Sequence, residues 1–270
     1  MHRDAIPTPA NPFTAVTRRS ALSLLGCGCV AAAGSACAYN EELGRSQLVF
    51  VSSGQMAQLA SGAWSDLKKQ EKVSTDPKYT SRVRRVAPKI IQASGGNPSE
   101  WEVQVFASKD LNAFALPGGK IGFYTGILDL MENDDQIAAV MGHEVAHVNY
   151  NHSGERYSQQ VGSSVALSAA QAAIGSGSQT SQLALGALGL GAQVGVLLPF
   201  SRKHELEADK FGLRYMHRAG YKPDEAVRFW RKMASQKSAQ GSGAPPEFLS
   251  THPADQTRIA QLEREIALLK

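Results

Sequence analysis

"VMGHEVAHVNYNH", residues 140–152, sets His143 and His147 four apart around Glu144 and adds His152 five residues later. Ile137, Val140 and Met141 lead into it at helical spacing, and Asn133, Asp134 or Asp135 suits the start of that helix. Residues four apart share one helix face, so His143 and His147 can bind one ion. Glu144 then lies within reach of a metal-bound water without being a ligand itself. Burying such a charged trio in an apolar helix without purpose would be costly. His152 sits about 140° further round a regular helix and cannot join the same ion. A three-histidine variant of the motif needs a glycine at position 150 and a histidine at 153, where the chain has Tyr150 and Ser153. His152 is therefore expected to support or cap.

A third ligand has to come from elsewhere. "SRKHELEADKFGL", residues 201–213, places Glu205 and Asp209 four apart on a helix predicted over about 202–218. Either carboxylate can bind a metal while the other orients a ligating histidine by accepting its ring N–H. Glu207 points to a different face.

Around these two helices the periodicities predict an α+β chain, mostly helical. Helices are expected from Ser52 or Ser53 through "SSGQMAQLASGAWSDLKKQ", over about 78–93 and 223–233, and from Pro253 onward. "WEVQVFAS", "NAFALPGG" and "KIGFYTGIL" read as a small antiparallel sheet of about three strands bordering the histidine helix, with a Pro-Gly-Gly turn at 117–119. Residues 235–246 read as a loop. The Ala-, Gly- and Ser-rich segment 161–200 reads as two close-packed helices joined by a flexible turn, with a membrane span as the alternative.

Residues 1–38 read as an export signal. Arg18 and Arg19 precede an apolar run of small residues, an order resembling a twin-arginine signal. Ala36-Cys37-Ala38 fits a cleavage site, and Cys27 or Cys37 could carry a lipid. All three cysteines, Cys27, Cys29 and Cys37, lie in this segment, so no disulfide is expected beyond it and a metal site must use His and carboxylate ligands. Residues 39–270 are expected to form one domain in the periplasm, with a membrane anchor through a lipidated cysteine as a further expectation. The whole chain of 270 residues carries a formal charge of +4 with no long basic run, which argues against nucleic acid as a partner.

"NAFALPGGKIGFYTGIL", "HEVAHV", "SRKHELEADKFG" and "THPADQTRI", in that order, resemble the zinc metallopeptidase family M48, most nearly its soluble periplasmic branch without a repeat domain. The resemblance covers about residues 45–270. It implies a zincin-like domain with one Zn2+ held by His143, His147 and Glu205, Glu144 as base, and Asp209 behind a ligand. It implies that Asn112, Ala113, Phe114 and Ala115 form the edge along which a peptide pairs. His252 in "STHP" stands where relatives can send a histidine to the zinc, which would keep the enzyme latent; a plain helix-start role is the alternative. Arg258 is a candidate for steadying the oxyanion or a structural arginine. The implied activity is endopeptidase action on unfolded or extended exported polypeptides, with outer-membrane or lipid association. The alternatives are a zinc-stabilised chaperone or assembly factor with latent proteolysis, and an esterase or amidase.

Overall fold

Gly44, at a φ of +64°, closes the turn between β1 (Cys37–Asn40) and β2 (Arg45–Leu48), an antiparallel hairpin. The sequence reading did not find this pair, whose strands are only four residues long. The structure, a computed structural model, describes residues 37–174, 200–239, 246–253 and 255–269.

Ser52 starts α1 (Ser53–Gln70) through a capping box: its hydroxyl accepts from Gln55 N while the Gln55 side chain accepts from Ser52 N. Met56, Ala60 and Trp64 form its buried stripe. Asp76 caps α2 (Pro77–Ala93), with Pro77 at the first helical position, where its missing N–H costs nothing. Val83, Val86, Ile90 and Ile91 bury one face of α2 in the main core.

The chain then forms β3 (Glu102–Phe106), β4 (Ala113–Leu116) and β5 (Lys120–Tyr124) in the order β3-β5-β4. β4 and β5 are antiparallel, but β3 and β5 are parallel, so the sheet is mixed where a wholly antiparallel one was expected. The loop after β3 carries the chain past the place β5 will take. The hairpin at Gly118 and Gly119, both at positive φ, then folds β5 back between its neighbours. β4 is left at the edge.

β5 stops at Tyr124, and Thr125–Leu130 form a short helix, α3, where the sequence suggested continued strand. Gly126 N and Thr125 Oγ1 both donate to Ser108 O, and a side chain at Gly126 would lie 2.2 Å from Lys109 O. This backbone contact turns the chain away from the sheet.

Asn133 caps α4 (Asp134–Asn149), accepting from Gln136 N, with Asp134 and Asp135 favourably placed at the positive end of the helix dipole. Every residue from Gln136 to His147 is buried, so this helix runs through the middle of the molecule. It is flanked by α2, by β4, and by α5 (His152–Ile174), α6 (Arg202–Arg218) and α7 (Asp224–Ala239). The α7 helix continues six residues beyond its expected end and overrides the start of the expected loop, because neither Gly nor Pro occurs before Gly241. A short helix not foreseen, α8 (Glu247–Thr251), precedes α9 (Gln256–Leu269). Asp255 accepts from Arg258 N, which sets the start of α9 three residues after Pro253.

Of the segment 161–200, α5 accounts for residues up to 174, and 175–199 lie outside the described residues. Among the described residues no helix is long and apolar enough to cross a membrane.

Candidate metal centre

His143 and His147 stand one turn apart on α4, each about 1% exposed, with their Nε2 atoms 3.0 Å apart. Glu205 enters from the first turn of α6, which Ser201 caps by accepting from His204 N. Its oxygens lie 3.4 Å from both ring nitrogens. His252, the residue that ends α8, brings Nδ1 to 3.0 Å from Glu205 Oε1 and 3.3 Å from His143 Nε2.

These four ligand atoms all lie within 4.8 Å of one another. Their closest separations, 3.0–3.4 Å, are near the roughly 3.3 Å edge of a tetrahedron whose metal–ligand bonds are about 2.0–2.1 Å. Two imidazoles, a carboxylate and a further imidazole are also ligands that zinc accepts. Glu144 Oε1 is buried beside them with no hydrogen-bond partner, and His252 Nε2 lies 3.3 Å away. A buried oxygen left without a donor fits a place meant for a water or ion. The residues thus fit zinc.

Asp209, one turn beyond Glu205, accepts from His143 Nδ1 at 2.9 Å, which in the neutral ring leaves the lone pair of Nε2 facing the cluster. Glu205 faces the cluster and Asp209 stands behind His143.

Arg258 sits behind them both. Its Nε and Nη2 donate to the two oxygens of Asp209 at 2.8 and 2.7 Å, and Nη1 donates to Pro253 O and lies 2.7 Å from Glu205 Oε2. The guanidinium also lies flat on Trp230, 3.9 Å from the ring centroid. Buried and with its fork occupied, Arg258 is not placed to meet an oxyanion in the cleft; it holds the carboxylates. These contacts fit the structural alternative for Arg258.

His152 does not face the cluster. Its Nδ1 is 3.0 Å from Nδ1 of His147, on the far side of that ring.

The charges follow from this packing. Burial alone would raise Glu205 and Asp209, but Arg258 and the neighbouring histidines together outweigh it and hold both carboxyls down, Glu205 well below the usual range. Burial pushes His147 well down. It acts the same way on His143, where the Glu205 and Asp209 carboxylates prevail and hold the imidazole up at about 9. Burial raises the Glu144 carboxyl.

Glu144 Oε2 accepts from Ala115 N at 3.0 Å, so the outer edge of β4 faces this carboxylate directly. Ala113 and Ala115 are buried, Phe114 is half-buried, and Asn112 lies just before the strand, its carbonyl accepting from Tyr124 N. A cavity of about 530 Å³ opens between this edge and α1, walled by Met56, Leu59, Leu67, Phe114 and Leu116, with Glu144 and His252 on its floor. Arg156 of α5 also lines it, its guanidinium 4.0 Å above the Phe200 ring.

The sequence reading missed Arg156, because a single arginine after the motif carries no pattern. It also missed Gly142 and Gly212. A side chain on Gly142 would meet Gly212 O at 2.9 Å, so these glycines let α4 and α6 approach closely enough for Glu205 to reach the histidines. A glycine inside each of two motif helices was the available signal.

The description "Peptidase family M48" matches residues 76–266. The mitochondrial metalloendopeptidase OMA1 of Schizosaccharomyces pombe is 37% identical over 184 residues, covering 68% of this chain and 52% of its own. The OMA1 of Saccharomyces cerevisiae is 33% identical over 196 residues, covering 68% and 54%. The beta-barrel assembly-enhancing protease of Escherichia coli K12 is 27% identical over 229 residues, covering 81% and 45%. The chain spans about half the length of these relatives. With the matched region holding His143, Glu144, His147, Glu205 and His252 around one point, the chain belongs to Peptidase family M48.

Proposed function

We propose that the chain is a zinc-dependent endopeptidase that cleaves extended segments of exported proteins, misfolded or membrane-associated ones in particular. The observation that carries this reading is the contact between Glu144 and the edge of β4, which sets a base beside a place where a peptide can add as a strand. His143, His147 and Glu205 would hold one zinc ion. When bound, zinc lowers the pKa of a water and polarises a scissile carbonyl.

The chain's own groups do the rest. An extended substrate pairs with the outer edge of β4, displacing Glu144 from Ala115 N. Glu144 takes the proton of the attacking water and returns it to the departing amine. Its burial suits this, because a raised carboxyl pKa makes a stronger base. Asp209 keeps His143 in the ligating tautomer, and Arg258 steadies Asp209 and Glu205.

His252 stands at the fourth corner of the cluster, which supports a latent form from which His252 withdraws for substrate to enter. That feature favours a second reading, a zinc-stabilised chaperone or outer-membrane assembly factor whose proteolysis is held back. The similarity to the Escherichia coli beta-barrel assembly-enhancing protease supports an outer-membrane context. Export through residues 1–38, periplasmic location with or without a lipid anchor, and a single peptidase domain over 39–270 belong to the same proposal.

The test is cleavage of an unfolded protein such as casein, with and without a chelator, by the wild type, Glu144→Gln and His252→Ala. The expected result is chelator-sensitive cleavage, its loss in Glu144→Gln with fold and zinc kept, and a gain in His252→Ala. Full activity in Glu144→Gln, or indifference to the chelator, would reject the zinc-peptidase reading. Suppression of aggregation that survives in both variants without cleavage would favour the chaperone.

A further inference from the structure

We propose that Arg45, on the β1–β2 hairpin, is a positioning residue of the metal centre and acts on the ligand His147 through Glu207 and His152. The inference rests on the zinc reading of the cluster.

The chain of contacts runs from one ring nitrogen to the next. His147 turns Nε2 toward His143 and Glu205 and Nδ1 toward His152. Two Nδ1 atoms 3.0 Å apart need one proton between them, and which ring carries it decides whether His147 can ligate. His152 Nε2 lies 3.1 Å from Glu207 Oε2, an ion-pair contact rather than an aligned hydrogen bond. The ionised carboxylate beside it can only accept and draws the His152 proton to Nε2. The Nδ1 of His152 is then bare and must accept from His147. That leaves the lone pair of His147 on Nε2, aimed at the cluster. His143 receives the same service from Asp209, but His147 receives it across one more ring.

Glu207 can act this way only if it is held. Arg45 grips it with a fork, Nε to Oε1 at 2.6 Å and Nη2 to Oε2 at 2.7 Å, and its third arm reaches Glu155 Oε1 at 2.8 Å. Glu155 accepts in turn from Gln47 and lies 3.1 Å from His204, whose ring stacks on His152 at 4.6 Å. Gln47 also donates to Tyr150 O, at the junction of α4 and α5. Two side chains of one β-strand, Arg45 and Gln47, thus brace the back of a metal ligand. Both precede the residues 76–266 that match the family model.

The experiment uses the full chain and zinc itself. Zinc affinity is measured by competition with a chromogenic chelator, and the Co2+-substituted protein reports the ligand field by its visible absorption. His152→Phe fills the ring's space but cannot accept a hydrogen bond from His147 Nδ1, whereas His152→Asn is smaller and its carbonyl oxygen can. The expected order is roughly ten- to a hundredfold weaker zinc binding in His152→Phe and near wild-type binding in His152→Asn. A packing role alone gives the reverse order. Arg45→Met should weaken zinc binding and alter the Co2+ spectrum, with partial recovery in Arg45→Lys; the surface variant Arg231→Ala serves as control. Affinity within twofold of wild type in both His152→Phe and Arg45→Met overturns the inference. Failure of the wild type to bind zinc overturns the zinc reading itself, and the inference with it.

Discussion

Gly212→Ala tests the contact that brings the two halves of the site together. A Cβ on Gly212 would lie 2.8 Å from His143 N, 3.0 Å from Gly142 C and 3.1 Å from His143 Cα. All three are backbone atoms of α4, so no side chain can rotate away. Carbon atoms rest at about 3.5–4.0 Å, and the helices must therefore part by more than about half an ångström. Overpacking of this kind costs about 1–3 kcal/mol, and the rigid neighbours argue for the upper half of that range. Alanine returns about 1 kcal/mol of helix propensity. The net loss should be about 1–2 kcal/mol. For a chain of this size that lowers Tm by roughly 2–8 °C.

Glu205 lies two turns from Gly212 on the same helix, and it meets His143 and His147 at 3.4 Å. Parting the helices should therefore weaken zinc binding as well as stability. Thermal melts with saturating zinc and with chelator, together with zinc competition, read both effects. Gly62→Ala is the control: it lies inside α1, a Cβ there meets nothing within 4 Å, and it should stabilise by about 0.5–1 kcal/mol. A Gly212→Ala protein that melts at or above wild type with unchanged zinc affinity would refute the reasoning.

Three further outcomes are expected. Arg258→Ala strands two buried carboxylates and should cost about 3–5 kcal/mol in urea unfolding; Arg258→Lys should restore little, because an ammonium cannot fork onto Asp209, and full recovery in the lysine variant would count against the fork. Trp64→Ala, which empties the edge-on contacts with Phe106 and Phe114, should loosen α1 by about 3 kcal/mol or more, seen as faster hydrogen exchange over 53–70 while α4 stays protected; equal loss in both helices would disprove local docking. Burial raises the Glu102 carboxyl, but Lys68 and Lys120 outweigh it and hold it at about 2, so its contribution is complete above its ordinary value of 4.5 and fades as pH falls toward 2. Melting curves of wild type and Glu102→Gln should therefore differ by a constant amount above about pH 5 and converge below it, and parallel curves throughout would reject the pairing.

Residues 140–152 and 201–213 carry most of the site in readable form, because four-residue spacing on a helix is a local property. His143 with His147, and Glu205 with Asp209, follow from period alone, as does the span of α6, and residue type places the start of α4 among Asn133, Asp134 and Asp135. Local rules also place the turn at Gly118 and Gly119. They do not say which carboxylate faces the metal or which way a neighbouring strand runs.

Those points depend on contacts between distant parts of the chain. Glu205 faces the cluster and Asp209 stands behind it because Gly142 and Gly212 fix the rotation and distance of α6 against α4. Arg258 became a brace because the start of α9 aims its guanidinium at Asp209, away from the cleft. β3 runs parallel to β5 because the hairpin inserts β5 between strands already laid down. His152, 140° out of line on an ideal helix, supports His147 because α4 ends and Asn151, at a φ of +51°, swings it back. The sequence by itself determined the candidate histidines, the candidate base and the pair of carboxylates from which the third ligand comes, all on two regular helices. Tertiary packing decided their orientation and their second neighbours, since charges buried at the crossing of helices must find partners wherever the chain can bring them.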